Sequence, residues 1–169
     1  VMTSAQPTAT LLPKYASAVD HIAIAVKDLE ASVRLYETSL GFTVVQRRVT
    51  EGKASAMISA VMKAGPLTLV LMQGTSPDSQ ICKYIEHYGP GVQHVAFAVD
   101  DLQSMVDELK AAGLPFDTNV ISGGGLRQIF TKRDPGTGMM FEFIERLGGD
   151  FSDQSVQELF KQLESQGSY

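Results

Sequence analysis

The chain has 169 residues, 44% apolar and 20% charged, an ordinary globular composition with enough length to bury a core. A net charge of −5 argues against nucleic acid as a partner, and no apolar run reaches the roughly 18 residues that a membrane helix needs. A lone cysteine, Cys82, excludes an internal disulfide and fits a reducing cytoplasm.

The opening Val1–Tyr15, rich in Thr, Ser, Ala and Pro, has no apolar core of signal-peptide type. It reads as part of a flexible N-terminal arm over residues 1–17. From His21 to Val26 apolar and small residues alternate as in a strand. Asp28 is placed to cap a helix whose Leu29, Val33 and Tyr36 share one face, and Gly41 ends it. Three strands follow, in Phe42–Val49, Ala54–Met62 and Leu67–Gln73, giving a βαβββ module over residues 18–75. A bridging helix within 76–90 closes at Gly89-Pro90-Gly91. The order then repeats over 91–147: strand Val92–Val99, helix from Asp101 to about Ala112, and strands in Pro115–Val120, Leu126–Thr131 and Met139–Ile144. Residues 148–169 hold a final amphipathic helix, with Val156, Leu159, Phe160 and Leu163 on one side.

The repeat is also written in the residues themselves. Val-Asp-His-Ile-Ala-Ile-Ala-Val-Lys-Asp-Leu around His21 matches Val-Gln-His-Val-Ala-Phe-Ala-Val-Asp-Asp-Leu around His94, a period of about 73 residues. Two copies of one unit imply an α+β fold in which tandem βαβββ modules form a pseudo-twofold open barrel, residues 18–169 packing as one body. Equivalent atoms of the modules meet near their common axis, so His21 and His94 are placed to converge on one point. Glu142 lies in the apolar strand closing the second module, where a buried carboxylate needs a cation or donors beside it. Two imidazoles and a carboxylate with open positions are the facial set of non-haem Fe(II) oxygenases, though Zn, Co, Ni or Mn suit the same ligands. Cys82 and His87 on the bridging helix stand outside the repeat, and Glu145 and Arg146 read as surface pairs. Gly123-Gly124-Gly125 lacks the context of a nucleotide loop and reads as a flexible turn.

With these residues in view, the chain resembles the vicinal-oxygen-chelate superfamily. Its second half resembles the catalytic C-terminal domain of the 4-hydroxyphenylpyruvate dioxygenase and hydroxymandelate synthase family. The matching stretches are Ser79-Gln80-Ile81, Gly91-Val92-Gln93-His94, Leu126 to Lys132 (Leu-Arg-Gln-Ile-Phe-Thr-Lys), Phe141 to Arg146 and Glu158-Leu159-Phe160-Lys161. The resemblance implies Fe(II) held by His21, His94 and Glu142. It also implies a pocket lined by Ser59, Gln80, Gln93, Gln128 and Phe130, under a lid helix bringing Phe151 and Val156 inward. Two departures bear on substrate: Val156 stands where the family has a second phenylalanine clamp, and Gly74, beside Gln73, where it has a pocket asparagine.

The implied activity is an Fe(II)-dependent dioxygenase that couples oxidative decarboxylation of an α-keto acid to hydroxylation of the same molecule. Its substrates would be dioxygen and a 4-hydroxyphenylpyruvate-like or branched aliphatic 2-oxo acid, in the cytoplasm, with a homodimer left open. The rival reading is a metal-dependent epimerase or glyoxalase-like isomerase or lyase, in which Gln73 serves as a fourth ligand. A third is a ligand-sequestering binding protein, against which the intact His, His, Glu set argues. Metal content separates the three. Ligand distances of about 2.0–2.2 Å require the two imidazoles to lie within about 6 Å of each other, and a wider gap with no hinge to close it overturns the metal-centred reading.

Overall fold

The sequence repeat folds into one pseudo-twofold sheet. The computed structural model describes residues 11–148 and 152–167. Its elements are α1 (Leu11–Tyr15), β1 (Ala16–Ala25), α2 (Leu29–Leu40), β2 (Thr43–Glu51), β3 (Ala56–Ala64), β4 (Leu67–Gly74) and α3 (Gln80–Tyr88). They continue with β5 (Gly91–Val99), α4 (Leu102–Ala111), β6 (Ile121–Gly123), β7 (Leu126–Phe130), β8 (Met140–Arg146) and α5 (Asp153–Ser165). The strands form one curled half-barrel in the order β2-β3-β4-β1-β5-β8-β7-β6. Exchanging β1 with β5, β4 with β8, β3 with β7 and β2 with β6 maps this order onto itself. Its centre is the antiparallel β1–β5 pair, flanked by the parallel pairs β1–β4 and β5–β8.

The local sequence explains the helices. Asp28 and Asp101 occupy equivalent positions of the repeat, and each caps its helix by accepting a backbone N–H three residues on. Gly41 ends α2 at φ 76°, a conformation that favours glycine. Leu29 and Val33 of α2 pack on Ala60, Met62 and Leu71, and Leu102, Met105 and Val106 of α4 pack on Ile129 and Phe143. These two helices cover the convex face. The concave face is covered by α3 and α5, whose Ile81, Tyr84, Val156 and Phe160 pack on Ala23, Ala25, Met57 and Met72.

Two expectations change. Residues 11–17 belong to the fold rather than to an arm: Leu11 and Tyr15 are buried against α4, and β1 starts at Ala16. The strand expected in Pro115–Val120 is displaced to Ile121–Gly123. Over residues 115–120 the ladder is interrupted because the Thr118 hydroxyl accepts the Phe130 N–H at 3.0 Å, leaving one isolated bridge between Phe116 and Thr131. The glycine run is a tight hairpin turn, with Gly124 at φ 63° and Gly125 at φ 79°.

α5 is tied down along its length. Asp153 pairs with Arg48 of β2 at 2.7 Å, and Gln162 accepts the Asn119 N–H at 3.0 Å. Near its end, Glu164 accepts from the Lys53 and Ala54 N–H groups and from the Ser55 hydroxyl, at 2.9, 3.2 and 2.9 Å. Gly52 allows this approach, since a Cβ there would lie 2.6 Å from Glu164 Oε2 and 2.8 Å from the Phe160 ring. Glu164→Ala should therefore cost about 1–3 kcal/mol of stability and raise amide hydrogen exchange in α5 and the β2–β3 turn, leaving the β1–β5 centre protected.

Candidate metal centre

Sheet register brings the three predicted ligands onto one face. Ala96 of β5 pairs with His21 on one side and with Glu142 on the other, so His21, Ala96 and Glu142 form a row across three strands. His94, two residues before Ala96, faces the same way, opposite Ala23. Ala23 and Ala96 are fully buried, and their methyl groups leave the volume between the larger side chains open. All three ligand residues are buried, and one ligand atom from each lies within 4.8 Å of the others. The imidazole centroids are 5.6 Å apart, inside the limit set by the sequence reading.

Both rings are oriented by the residue before them. Consecutive strand residues ordinarily point to opposite faces, but β1 carries an extra residue at Asp20 and β5 one at Gln93, each a β-bulge just before its histidine. The bulges let Asp20 Oδ1 accept from His21 Nδ1 at 2.8 Å and Gln93 Oε1 accept from His94 Nδ1 at 2.5 Å. With Nδ1–H committed, each Nε2 faces Glu142 Oε2, at 3.1 Å from His21 and 3.3 Å from His94. Two ligands at right angles, each about 2.1 Å from an ion, lie about 3 Å apart, so both separations suit a facial set. Glu142 Oε1 is buried without a hydrogen-bond partner. The donor set fits a divalent cation.

Charge follows the same geometry. Burial opposes ionisation of His21, but the Glu142 charge and the Asp20 hydrogen bond outweigh it and raise the imidazole to about 9. Burial would likewise raise Glu142, yet the two imidazoles bring it down to about 2. His94 is lowered, burial outweighing Glu142.

Gln73, weighed as a fourth ligand, is elsewhere. It pairs with Ile58 on the convex face, and its Oε1 accepts the Leu29 N–H at 2.6 Å. The symmetry mate of Glu142 is Val70, which pairs with Ala23 as Glu142 pairs with Ala96. Gln73 lies three positions beyond Val70, an odd step that reverses the face.

Beside the cluster, under α5, is a cavity of about 30 Å³ lined by Gln80, Gln93, His94, Phe130 and Val156 among others. The Phe130 ring meets His94 edge-on at 5.0 Å. Gln80 donates to the Phe160 carbonyl at 3.2 Å, and its Oε1 is unpaired. Gln128 is fully buried with neither amide atom paired, an expensive arrangement away from water. Ser59 is buried opposite Met72 on the concave strand face. Gln93 doubles as the partner of His94, and Phe151 lies outside the described residues. At Gly74 a Cβ would come within 2.6 Å of Ser79 Oγ and Cys82 Sγ, so α3 fills the space a longer side chain would need.

Sequence reading missed Asp20, Thr50 and the role of Arg146. The available signal for Asp20 was its match to Gln93, since both residues before the repeated histidines carry a carbonyl-type oxygen. Arg146 forms an exposed ion pair as expected, but its partner is the residue behind His21: its Nε and Nη2 donate to Asp20 Oδ2 and Oδ1 at 2.7 and 2.9 Å. Thr50, on β2 opposite Met57, has a buried hydroxyl without a partner.

Comparison with known proteins agrees with the fold. The profile of the Glyoxalase/Bleomycin resistance protein/Dioxygenase superfamily matches residues 18–143. The 4-hydroxyphenylpyruvate dioxygenase of Pseudomonas aeruginosa is 27% identical over 184 aligned positions, covering 86% of this chain and 51% of that protein. The chain thus spans about half the length of this curated relative. A mutant of 4-hydroxymandelate synthase from Streptomyces coelicolor superposes with TM-score 0.78 at 27% identity, over 89% of this chain and 54% of that one. A methylmalonyl-CoA epimerase variant from Streptomyces coelicolor gives TM-score 0.63 at 26% identity, over 78% of this chain and 98% of that one.

The charge state of His21 makes metal uptake pH-dependent. Below about 9 the metal-free His21 holds a proton on the nitrogen facing Glu142, and a cation must displace it. Affinity should rise with pH and level off above about 9. Calorimetry at pH 7 in buffers of different ionisation enthalpy should show about one proton released per ion. In the metal-free protein the sign reverses. The raised His21 stabilises the fold fully below its ordinary 6.5, and that contribution is lost as pH climbs through about 9.

Proposed function

We propose, for a chain that belongs to the Glyoxalase/Bleomycin resistance protein/Dioxygenase superfamily, that it is an Fe(II)-dependent dioxygenase of an α-keto acid. Its reaction would couple oxidative decarboxylation to hydroxylation of the same substrate. The carrying observation is that Val70, an apolar residue, takes the place that symmetry offers to a fourth ligand, while Gln73 faces α2. Three protein donors then leave one side of the ion open, as chelation of a keto acid together with dioxygen requires.

The chain's residues divide the work. His21, His94 and Glu142 would hold the ion, their directions fixed by Asp20 and Gln93. Fe(II), when bound, supplies the redox chemistry that couples dioxygen to decarboxylation. The unpaired amide of Gln128 and the unpaired Oε1 of Gln80 can hydrogen-bond a polar substrate tail without adding charge beside the ion. Phe130 and Val156 flank the tail, and α5 keeps water away from the reacting end. At about 30 Å³ the cavity has room for a water or two, far below the roughly 300 Å³ or more of small-molecule sites. A substrate therefore enters by displacing α5.

A second reading, a metal-dependent epimerase or isomerase, is favoured by one observation, the nearly full-length match to an epimerase. Oxygen separates them. The Fe(II)-loaded protein should consume dioxygen and release carbon dioxide in equal amounts with a 2-oxo acid from a panel of aryl and branched aliphatic members. Solvent deuterium exchange beside a substrate carbonyl, with no oxygen uptake, would select the isomerase.

Substrate choice should depend on the volume next to Phe130. Val156→Phe should shift the ratio of kcat/KM between 4-hydroxyphenylpyruvate and a branched aliphatic 2-oxo acid by about 10- to 200-fold, the range for reshaping an apolar pocket. An unchanged ratio would mean that Val156 does not touch the substrate.

A further inference from the structure

We propose that Asp20, gripped by Arg146, is the positioning residue of His21 and makes it the tighter of the two imidazole ligands, while Gln93 serves His94 as a weaker, neutral counterpart. The inference rests on the metal reading of His21, His94 and Glu142, and not on which reaction follows. The two bulges are equivalent in the repeat, so each histidine has the same opportunity for a partner on Nδ1. The partners differ in charge. A carboxylate on Nδ1–H pushes electron density through the ring to Nε2 and strengthens it as a donor, whereas an amide oxygen does so less.

Asp20 is also held from behind. The Arg146 guanidinium engages both carboxylate oxygens, at 2.7 and 2.9 Å, which fixes the plane of the acceptor facing His21. Asp20 has only 10% of its side chain exposed, while Arg146, 33% exposed, closes the pair off from the solvent side. Arg146 sits on β8 four residues beyond Glu142, and its side chain reaches over β5 to β1. One strand therefore supplies the third ligand and also the group that steadies the first. A merely structural role would make the pair a clasp between β8 and β1, with no effect on the ion.

The test uses Co(II) as the probe, with affinity measured by competition and the visible absorption of the bound ion recorded. The proteins are the wild type, Asp20→Asn, Arg146→Gln and the double variant. Asn keeps the size and the acceptor oxygen but removes the charge, so Asp20→Asn should still fold, with a lower metal-free Tm because Asp20 supports the protonated His21 and pairs with Arg146. It should weaken Co(II) binding about 10- to 100-fold and shift the absorption band. Arg146→Gln should weaken binding less, and adding it to Asp20→Asn should change affinity less than about threefold, because Arg146 acts through Asp20. Retention of wild-type affinity and spectrum by Asp20→Asn overturns the proposal, as do full, independent losses from the two substitutions. A wild type that binds no Co(II) overturns the metal reading with it, a result distinct from an unaffected variant. Absence of oxygen chemistry alters none of these readings.

Discussion

A carboxylate taken out of water has to be compensated, and Glu142 is compensated by two imidazoles that reach it from the central strands of the sheet. Much of the architecture follows from that requirement. The antiparallel β1–β5 centre brings His21 and His94 onto one face, the parallel β5–β8 pairing sets Glu142 in line with His21, and buried alanines keep the space between them open. Bulges at Asp20 and Gln93 then aim the rings. Such a cluster is poor value as a stability device, because well-packed apolar residues in place of a buried ion pair are often neutral or stabilising by about 1–4 kcal/mol. Its design points to a cation.

The pocket shows the same division between scaffold and site. On the convex face α2 and α4 pack with leucine, valine and methionine against strands, and polar groups there are paired, Gln73 among them. The concave face differs. Gln80 Oε1, both amide atoms of Gln128, Glu142 Oε1 and the Thr50 hydroxyl are buried without hydrogen bonds in the described structure. These atoms lie on strand faces or helices that surround the cluster, under a helix held by side-chain contacts at Asp153, Gln162 and Glu164. A helix tied by side-chain contacts rather than by sheet pairing can be displaced while the half-barrel stays intact, so the small cavity under it can widen.

What was legible in the sequence was whatever repeats or alternates. The 73-residue spacing placed β1 and β5, equivalent aspartates marked the caps of α2 and α4, and a charged residue in an apolar strand marked Glu142. Register was not legible. Gln73, which ends the right strand, was a fourth-ligand candidate only in the rival reading, and it takes the pairing of Ala23 with Val70 to show that it lies on the opposite face. Bulges are equally silent in a sequence, since only the facing strand reveals that Asp20 and Gln93 are extra residues. Thr118 defeated the strand reading of Pro115–Val120 by supplying a side-chain acceptor in place of the backbone, and the burial of Leu11 and Tyr15 depends on α4, nearly 90 residues away.

The most direct measurement is the stoichiometry and coordination of a divalent ion in the purified protein, by elemental analysis and X-ray absorption, beside a Glu142→Ala variant. The structure predicts one ion per chain, with two imidazole nitrogens and a carboxylate oxygen at about 2.0–2.2 Å, and loss of that ion in the variant. A wild-type protein that takes up no stoichiometric ion, or a Glu142→Ala variant that holds it as tightly, would contradict the assignment of the centre.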